Sequence, residues 1–123
     1  MLDHVTLKVS DLARSAAFYD AALKPLGISR LHEEPGMFAG FGVAPKPFFW
    51  IGLNTGTITG AHVAITALDH ATVDAFYKAA MSAGAADNGK PGLRPHYHAN
   101  YYGAFVLDPD GHNIEAVCHH PAP

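Results

Sequence analysis

Three side chains that are good metal ligands stand at related places in the sequence. His4 and His62 are 58 residues apart, each at the start of an alternating apolar segment, and Glu115 lies in a third such segment. Imidazole nitrogens and carboxylate oxygens suit divalent Fe, Mn, Zn, Ni or Co. Two histidines and one carboxylate leave coordination positions open, where a metal can polarise substrate oxygens. The sequence therefore predicts a 2-His-1-carboxylate site, provided that the fold brings the three side chains together.

An internal repeat relates the two histidines. Residues 3–23 and 61–81 are identical at nine of 21 positions without a gap, and His4 and His62 are one of the matched pairs. Self-similarity of this kind indicates two copies of one structural unit. We expect a single domain made of two repeats, at about residues 1–56 and 57–123.

Each repeat carries the same order of predicted elements. It begins with a strand of alternating apolar residues, followed by a helix capped by Asp11 or Asp69, then by another strand and a hairpin. The predicted fold is α+β, with two tandem βαβββ modules that form a curved mixed sheet around a cavity. The faces that carry His4 and His62 would line this cavity.

The last strand carries a glutamate, a residue type that is depleted in strands. Glu115 alternates with Ile114 and Ala116, whose apolar side chains suit packing against a helix. We therefore expect Glu115 on the opposite face, towards the cavity. A glutamate that simply faces water is the alternative.

Three segments resemble the vicinal oxygen chelate superfamily, which includes glyoxalase I, extradiol dioxygenases, fosfomycin-resistance thiol transferases and bleomycin-resistance proteins. They are "DHVTLKVSDLARSAAFY", "AHVAI" and "DPDGHNIEA". The resemblance implies metal ligands on the first strand of each module and on a last strand, which here are His4, His62 and Glu115. It also implies a small-molecule substrate with two neighbouring oxygens. Lyase or isomerase, dioxygenase and thiol-transferase chemistry all stay open.

Two further expectations follow from the resemblance. One is a homodimer with two sites at its interface, in which His4 comes from one subunit and His62 with Glu115 from the other; pairing of the two modules within one chain is the alternative. The other is an alternative function, a non-catalytic protein that binds a drug-like molecule, as bleomycin-resistance proteins do.

A fourth ligand of the glyoxalase I type is missing. When the turn prolines Pro45 and Pro109 are aligned, Ile51 corresponds to Glu115, and isoleucine cannot coordinate a metal. A shift of one residue offers Trp50 or Gly52, neither of which is better. The sequence therefore predicts three protein ligands rather than four.

Other candidates surround this predicted site. The segment 94–102 is dense in polar and aromatic side chains and predicts a loop over the cavity mouth, although tyrosines packed by their ring faces would explain it equally well. His98 and Tyr102 are the candidate acid or base, and the candidate substrate contacts are Thr6, Trp50, Arg94 and Tyr101. His112, beside a turn, is expected to be an exposed surface residue.

Composition narrows the function classes. The formal charge is −3, only 15% of residues are charged, and no basic patch indicates nucleic acid binding. No apolar run approaches the length of a spanning helix, and no signal peptide is recognised. The single cysteine excludes an intrachain disulfide and agrees with a cytoplasmic location.

Overall fold

The computed structural model describes all 123 residues and contains two four-stranded sheets, each packed against one helix. The first module comprises β1 (Val5–Val9), α1 (Leu12–Ala22), β2 (Ser29–Glu34), β3 (Phe38–Val43) and β4 (Lys46–Leu53). The second comprises β5 (His62–Thr66), α2 (His70–Ser82), β6 (Ala86–Leu93), β7 (Tyr102–Leu107) and β8 (Asn113–Cys118). The predicted α+β fold of two βαβββ modules is confirmed. No helix is both long enough and apolar enough to cross a membrane.

Both sheets have the same topology. Their strand orders are β1-β4-β3-β2 and β5-β8-β7-β6, so the first strand of each module lies at an edge. That strand pairs in parallel with the last strand of its module, and the other pairs are antiparallel. His62 is therefore placed beside the last strand of its own module, and His4 directly precedes the corresponding strand of the first module.

Local sequence explains how the elements form. The side chain of Asp11 accepts a hydrogen bond from the Arg14 amide, and that of Asp69 accepts one from Thr72, so both helices have the predicted N-caps. Alternate strand residues pack beneath the helices and form the core. Its largest fully buried side chains include Tyr19, Phe41, Phe49, Ile51, Phe76 and Ile114. We call the other side of each sheet, which no helix covers, its open face.

The turn between β7 and β8 ties the two modules together. Asp108 accepts a hydrogen bond from the hydroxyl of Tyr19 in α1, and both groups are buried. Asp110 accepts a hydrogen bond from the backbone amide of Ser10 at 3.1 Å. Together with His112, these two aspartates form what we call the inter-module clasp.

His112 is buried rather than exposed, contrary to the expectation from its position beside a turn. It is 2% exposed. Its Nε2 donates to the Lys8 carbonyl at 2.7 Å, and its Nδ1 accepts from the Ala61 amide at 3.0 Å. Both ring nitrogens are thus used to join β1 to the start of β5. This clasp also places β8, and with it Glu115, relative to the first module.

Candidate functional site

His62 and Glu115 meet on the open face of the second sheet. In the β5–β8 register Glu115 pairs with Ala64, so it lies diagonally across from His62. His62 Nε2 is 2.9 Å from Glu115 Oε1. The His62 side chain is 53% exposed whereas that of Glu115 is 2% exposed. An accessible imidazole therefore stands over a carboxylate that is almost fully shielded from water.

Tyr101 holds the other oxygen of the same carboxylate. Its hydroxyl donates a hydrogen bond to Glu115 Oε2. Burial, and then the bond to Glu115, raise the pKa of Tyr101 well above its usual value, so the hydroxyl stays protonated as a donor. Gly103 makes this contact possible, because a Cβ there would lie 3.1 Å from the Tyr101 ring and 3.4 Å from Glu115 Oε2.

Two histidines continue from Tyr101 towards solvent. The His119 ring lies 5.2 Å from the Tyr101 ring, and the His98 ring lies 5.3 Å from His119. His98 is exposed in the loop between β6 and β7, and its Nδ1 accepts from the Asn100 amide. Of the two, only His98 was a sequence candidate. Neither makes a hydrogen bond to Glu115.

Arg94 brings positive charge to this face. Its guanidinium lies 5.4 Å from the centroid of the Phe105 ring, which in turn is 6.2 Å from the His62 ring. Phe105 pairs directly with Glu115 across β7 and β8. Phe105 was not among the predicted site residues, although strand alternation places it on the same face as Glu115.

The other predicted ligand, His4, lies on the open face of the first sheet. Its Nδ1 is 2.7 Å from Asp3 Oδ1, and its side chain is 53% exposed. His4, Thr6 and Trp50 border one cavity of about 430 Å³, together with Met37, Phe38 and Gly52. The structure thus groups three sequence candidates here, on a different sheet from His62 and Glu115.

The strand registers correct the alignment of the two last strands. Thr6 pairs with Trp50 and Ala64 pairs with Glu115, and the repeat matches Thr6 to Ala64. Trp50, rather than Ile51, therefore occupies the place of Glu115 in the first module. Ile51 is fully buried on the helix side. Alignment on the turn prolines placed the two strands one residue out of register.

Tyr102 lies on the opposite side of the sheet from Glu115. It pairs with Cys118, stacks on His70 at 3.9 Å and donates a hydrogen bond to Asp74 of α2 at 2.6 Å. That bond is the main reason why the pKa of Tyr102 rises to about 12. The expectation that Tyr102 acts in the cavity is therefore corrected, because its hydroxyl is committed to the helix.

His62 and Glu115 supply one nitrogen and one oxygen, which suit a divalent transition metal. Within one chain, however, no three His, Cys, Asp or Glu side chains converge in a way that could hold a metal ion. One sheet thus carries two candidate ligands, His62 and Glu115, which we call the half-site, and the other sheet carries the third candidate, His4. The donor types of these three residues fit a divalent metal.

Comparisons with known proteins place this chain in a family. Residues 1–116 match the glyoxalase/bleomycin resistance protein/dioxygenase superfamily. A glyoxalase/bleomycin resistance protein from Albidiferax ferrireducens is 29% identical, with a TM-score of 0.82 over 96% of this chain and 98% of that one. A family enzyme from Burkholderia phytofirmans, 20% identical over 96% of this chain and 98% of that one, shares the fold with a TM-score of 0.73.

A glyoxalase I mutant from Zea mays is 29% identical to this chain, with a TM-score of 0.71. The match covers 94% of this chain but only 46% of the maize protein. A comparison with curated proteins found no significant match. The family match over residues 1–116 and the shared fold agree with each other. The chain belongs to the glyoxalase/bleomycin resistance protein/dioxygenase superfamily.

Proposed function

We propose that this protein is a metal-dependent enzyme whose site assembles between two copies of the chain. His62 and Glu115 of one subunit, with His4 of the partner subunit, hold one divalent ion of Fe, Mn, Zn, Ni or Co. The substrate is a small molecule with two neighbouring oxygens. The observation that carries the proposal is the Glu115 side chain, 2% exposed yet on an open sheet face, with His62 on one carboxylate oxygen and Tyr101 on the other. Burying a carboxylate is costly unless it is paired.

An apolar groove between the modules supports a second copy of the chain as the partner. The groove has a volume of about 430 Å³ and is lined mainly by apolar side chains from both modules, among them Leu2, Val5, Leu26, Val43, Phe48 and Val63. Leu2 is 82% exposed and Val43 56% exposed. Contiguous exposed apolar surface marks interaction sites. A partner subunit seated here would bury these side chains and supply the histidine that each half-site lacks.

The protein residues divide the work around the bound substrate. When bound, the metal acts as a Lewis acid on the substrate oxygens. Tyr101 keeps the Glu115 carboxylate in one orientation, and Arg94 offers a cation to developing negative charge. His98 is exposed beside His119, whose ring packs against Tyr101, and takes the role of acid or base for the substrate. The identity of the metal separates iron-dependent oxygenation from Lewis-acid chemistry with Mn, Ni or Zn.

A non-catalytic small-molecule binding protein is the second candidate. It is favoured by the indole of Trp50, which stands where the other module has its carboxylate. An aromatic cavity wall binds a ligand without a metal. This function requires that the protein bind a small molecule tightly while holding no metal.

Metal content separates the two functions. We expect about one metal per chain, eluting with the dimer when size-exclusion chromatography is coupled to plasma mass spectrometry. Reconstitution of the apoprotein with each of the five candidate ions identifies the metal that is retained after dialysis. Protein that retains none of them would contradict the enzyme and leave the binding protein as the better account.

Removal of the Tyr101 hydroxyl is expected to weaken metal binding without abolishing it. In Tyr101→Phe the ring remains but the hydrogen bond to Glu115 Oε2 is lost, so the carboxylate is free to rotate. Loss of such an outer partner typically reduces metal affinity by about 10- to 100-fold. The dissociation constant is measured by competition with a chromophoric chelator.

Tyr97→Phe is the matched control. The Tyr97 ring packs 5.1 Å from Tyr101, but Tyr97 is 61% exposed and makes no hydrogen bond to Glu115. Its metal affinity should equal that of the parent. Equal affinities in all three proteins would show that Tyr101 does not position the ligand.

A further inference from the structure

Three aromatic rings cluster on the open face of the first sheet, and we call the space that they border the aromatic slot. They are His32, Phe38 and Trp50. The Phe38 and Trp50 ring centroids are 5.9 Å apart, and His32 lies 5.8 Å from each of them. Strand register explains the cluster, because β2, β3 and β4 place His32, Gly40 and Trp50 side by side. The strand backbone at Gly40 thus forms the base of the slot, and the faces and edges of the three rings form its sides.

Two glycines shape this slot in different ways. A Cβ on Gly40 would come within 2.7 Å of the Trp50 ring, so the indole lies directly on the backbone at that position. A Cβ on Gly52 would meet only the Thr6 methyl, at 4.0 Å. The absence of a side chain at Gly40 therefore allows the Trp50 ring to pack flat against the strand, and Gly52 leaves open space next to that ring. Neither glycine has the positive φ that would require a glycine.

The slot is continuous with the predicted metal ligand of this module. The cavity that Phe38, Trp50 and Gly52 border also contains His4 and Thr6, and its volume of about 430 Å³ lies in the range of small-molecule sites. Stacking on tryptophan and phenylalanine favours flat aromatic rings over saturated rings of the same size. The polar end at His4 would face the oxygens of a ligand whose ring occupies the slot.

We propose that the aromatic slot binds the planar aromatic ring of the substrate and so restricts the substrate to aromatic compounds with two neighbouring oxygens beside the ring. This inference rests on the proposed function, since it places those oxygens at the metal. The ring stacks against Trp50 and Phe38 over the open backbone at Gly52. Substrate selection then comes from the first module, while Glu115 and His62 of the second module hold the metal.

A matched pair of probes tests the proposal in the metal-loaded protein. Benzohydroxamate and cyclohexanecarbohydroxamate present the same two neighbouring oxygens, on an aromatic and on a saturated ring. Trp50 is the only tryptophan of the chain, so indole emission reports on the slot directly. We expect benzohydroxamate to change this emission and to bind about tenfold more tightly than the saturated analogue. Equal affinities, with no change in emission, would overturn the proposal.

Gly52→Val fills the slot without disturbing the strand. Valine suits a strand, and only the Thr6 methyl stands near the new side chain. We expect this variant to lose the preference for the aromatic probe. Ser29→Val, which places the same side chain at an exposed position of β2, should keep the preference. A preference that survives in Gly52→Val would place the ring elsewhere and overturn the proposal.

Metal content, measured on the same samples, separates this inference from the proposed function. A protein that retains metal but shows no aromatic preference refutes the slot and leaves the metal site standing. A protein that retains no metal, yet whose Trp50 emission still responds to benzohydroxamate and not to the saturated analogue, refutes the metal site. Ring recognition by the slot would then stand without metal chelation.

Discussion

A mixture of two variants, each of which lacks one predicted metal ligand, is expected to recover metal binding that neither variant has alone. His4→Ala and Glu115→Ala each remove one ligand from every site, so each purified variant should hold no stoichiometric metal. In a mixed dimer, however, one site receives His4 from the Glu115→Ala chain and His62 with Glu115 from the His4→Ala chain, which is a complete set. Random exchange makes half of the dimers mixed, so about a quarter of the parent's metal should return.

The control mixture uses two variants with defects in the same half-site. His62→Ala and Glu115→Ala affect ligands that lie 2.9 Å apart on one sheet, so no arrangement of their dimers restores a complete set. Metal content is measured after the chains are unfolded together, refolded and dialysed. Recovery in the control mixture, or none in the first mixture, would show that the ligands are not shared between subunits. Circular dichroism verifies that each variant has refolded.

Much of the fold could be predicted because its signals are local or repeated. Alternating residues define β1 and β5, aspartates cap both helices, and the match of His4 with His62 relates the two modules. The inward direction of Glu115 also follows from strand alternation alone. The structure adds the hydrogen bonds of Glu115 to His62 and Tyr101.

The errors come from features that depend on distant partners. The face of the sheet on which Tyr102 lies is set by its pairing with Cys118, and the sequence does not reveal the register of that hairpin. For the same reason Trp50 was placed one residue away from the counterpart of Glu115. His112 was expected in water because it adjoins a turn, whereas its ring nitrogens bond to Lys8 and Ala61 far away in the chain. Cross-strand register and tertiary hydrogen bonds are not encoded in local patterns.

Loss of Asp108 is expected to destabilise the fold strongly, although Asp108 lies outside the proposed metal site. Asp108→Ala leaves the buried Tyr19 hydroxyl without its acceptor and removes the acceptor of the Asp110 and His112 amides. Each unsatisfied buried donor costs about 1–3 kcal/mol, so the free energy of unfolding should fall by about 3 kcal/mol or more. Urea unfolding, followed by Trp50 emission at fixed chain concentration, measures the change.

Asp74→Ala is the matched control. It makes the same substitution of aspartate by alanine at an exposed position, so the difference from Asp108→Ala reports the effect of burial. Asp74 also accepts a hydrogen bond from a tyrosine, the Tyr102 hydroxyl at 2.6 Å, but it is exposed on α2. Water replaces the lost acceptor there, and alanine favours the helix, so the free energy of unfolding should change by less than about 1 kcal/mol. If the two variants were equally stable, the clasp would not hold the modules together. A large difference would assign Asp108 of the "DPDGH" segment to joining the modules, apart from the role that we propose for Glu115, further along, in the metal site.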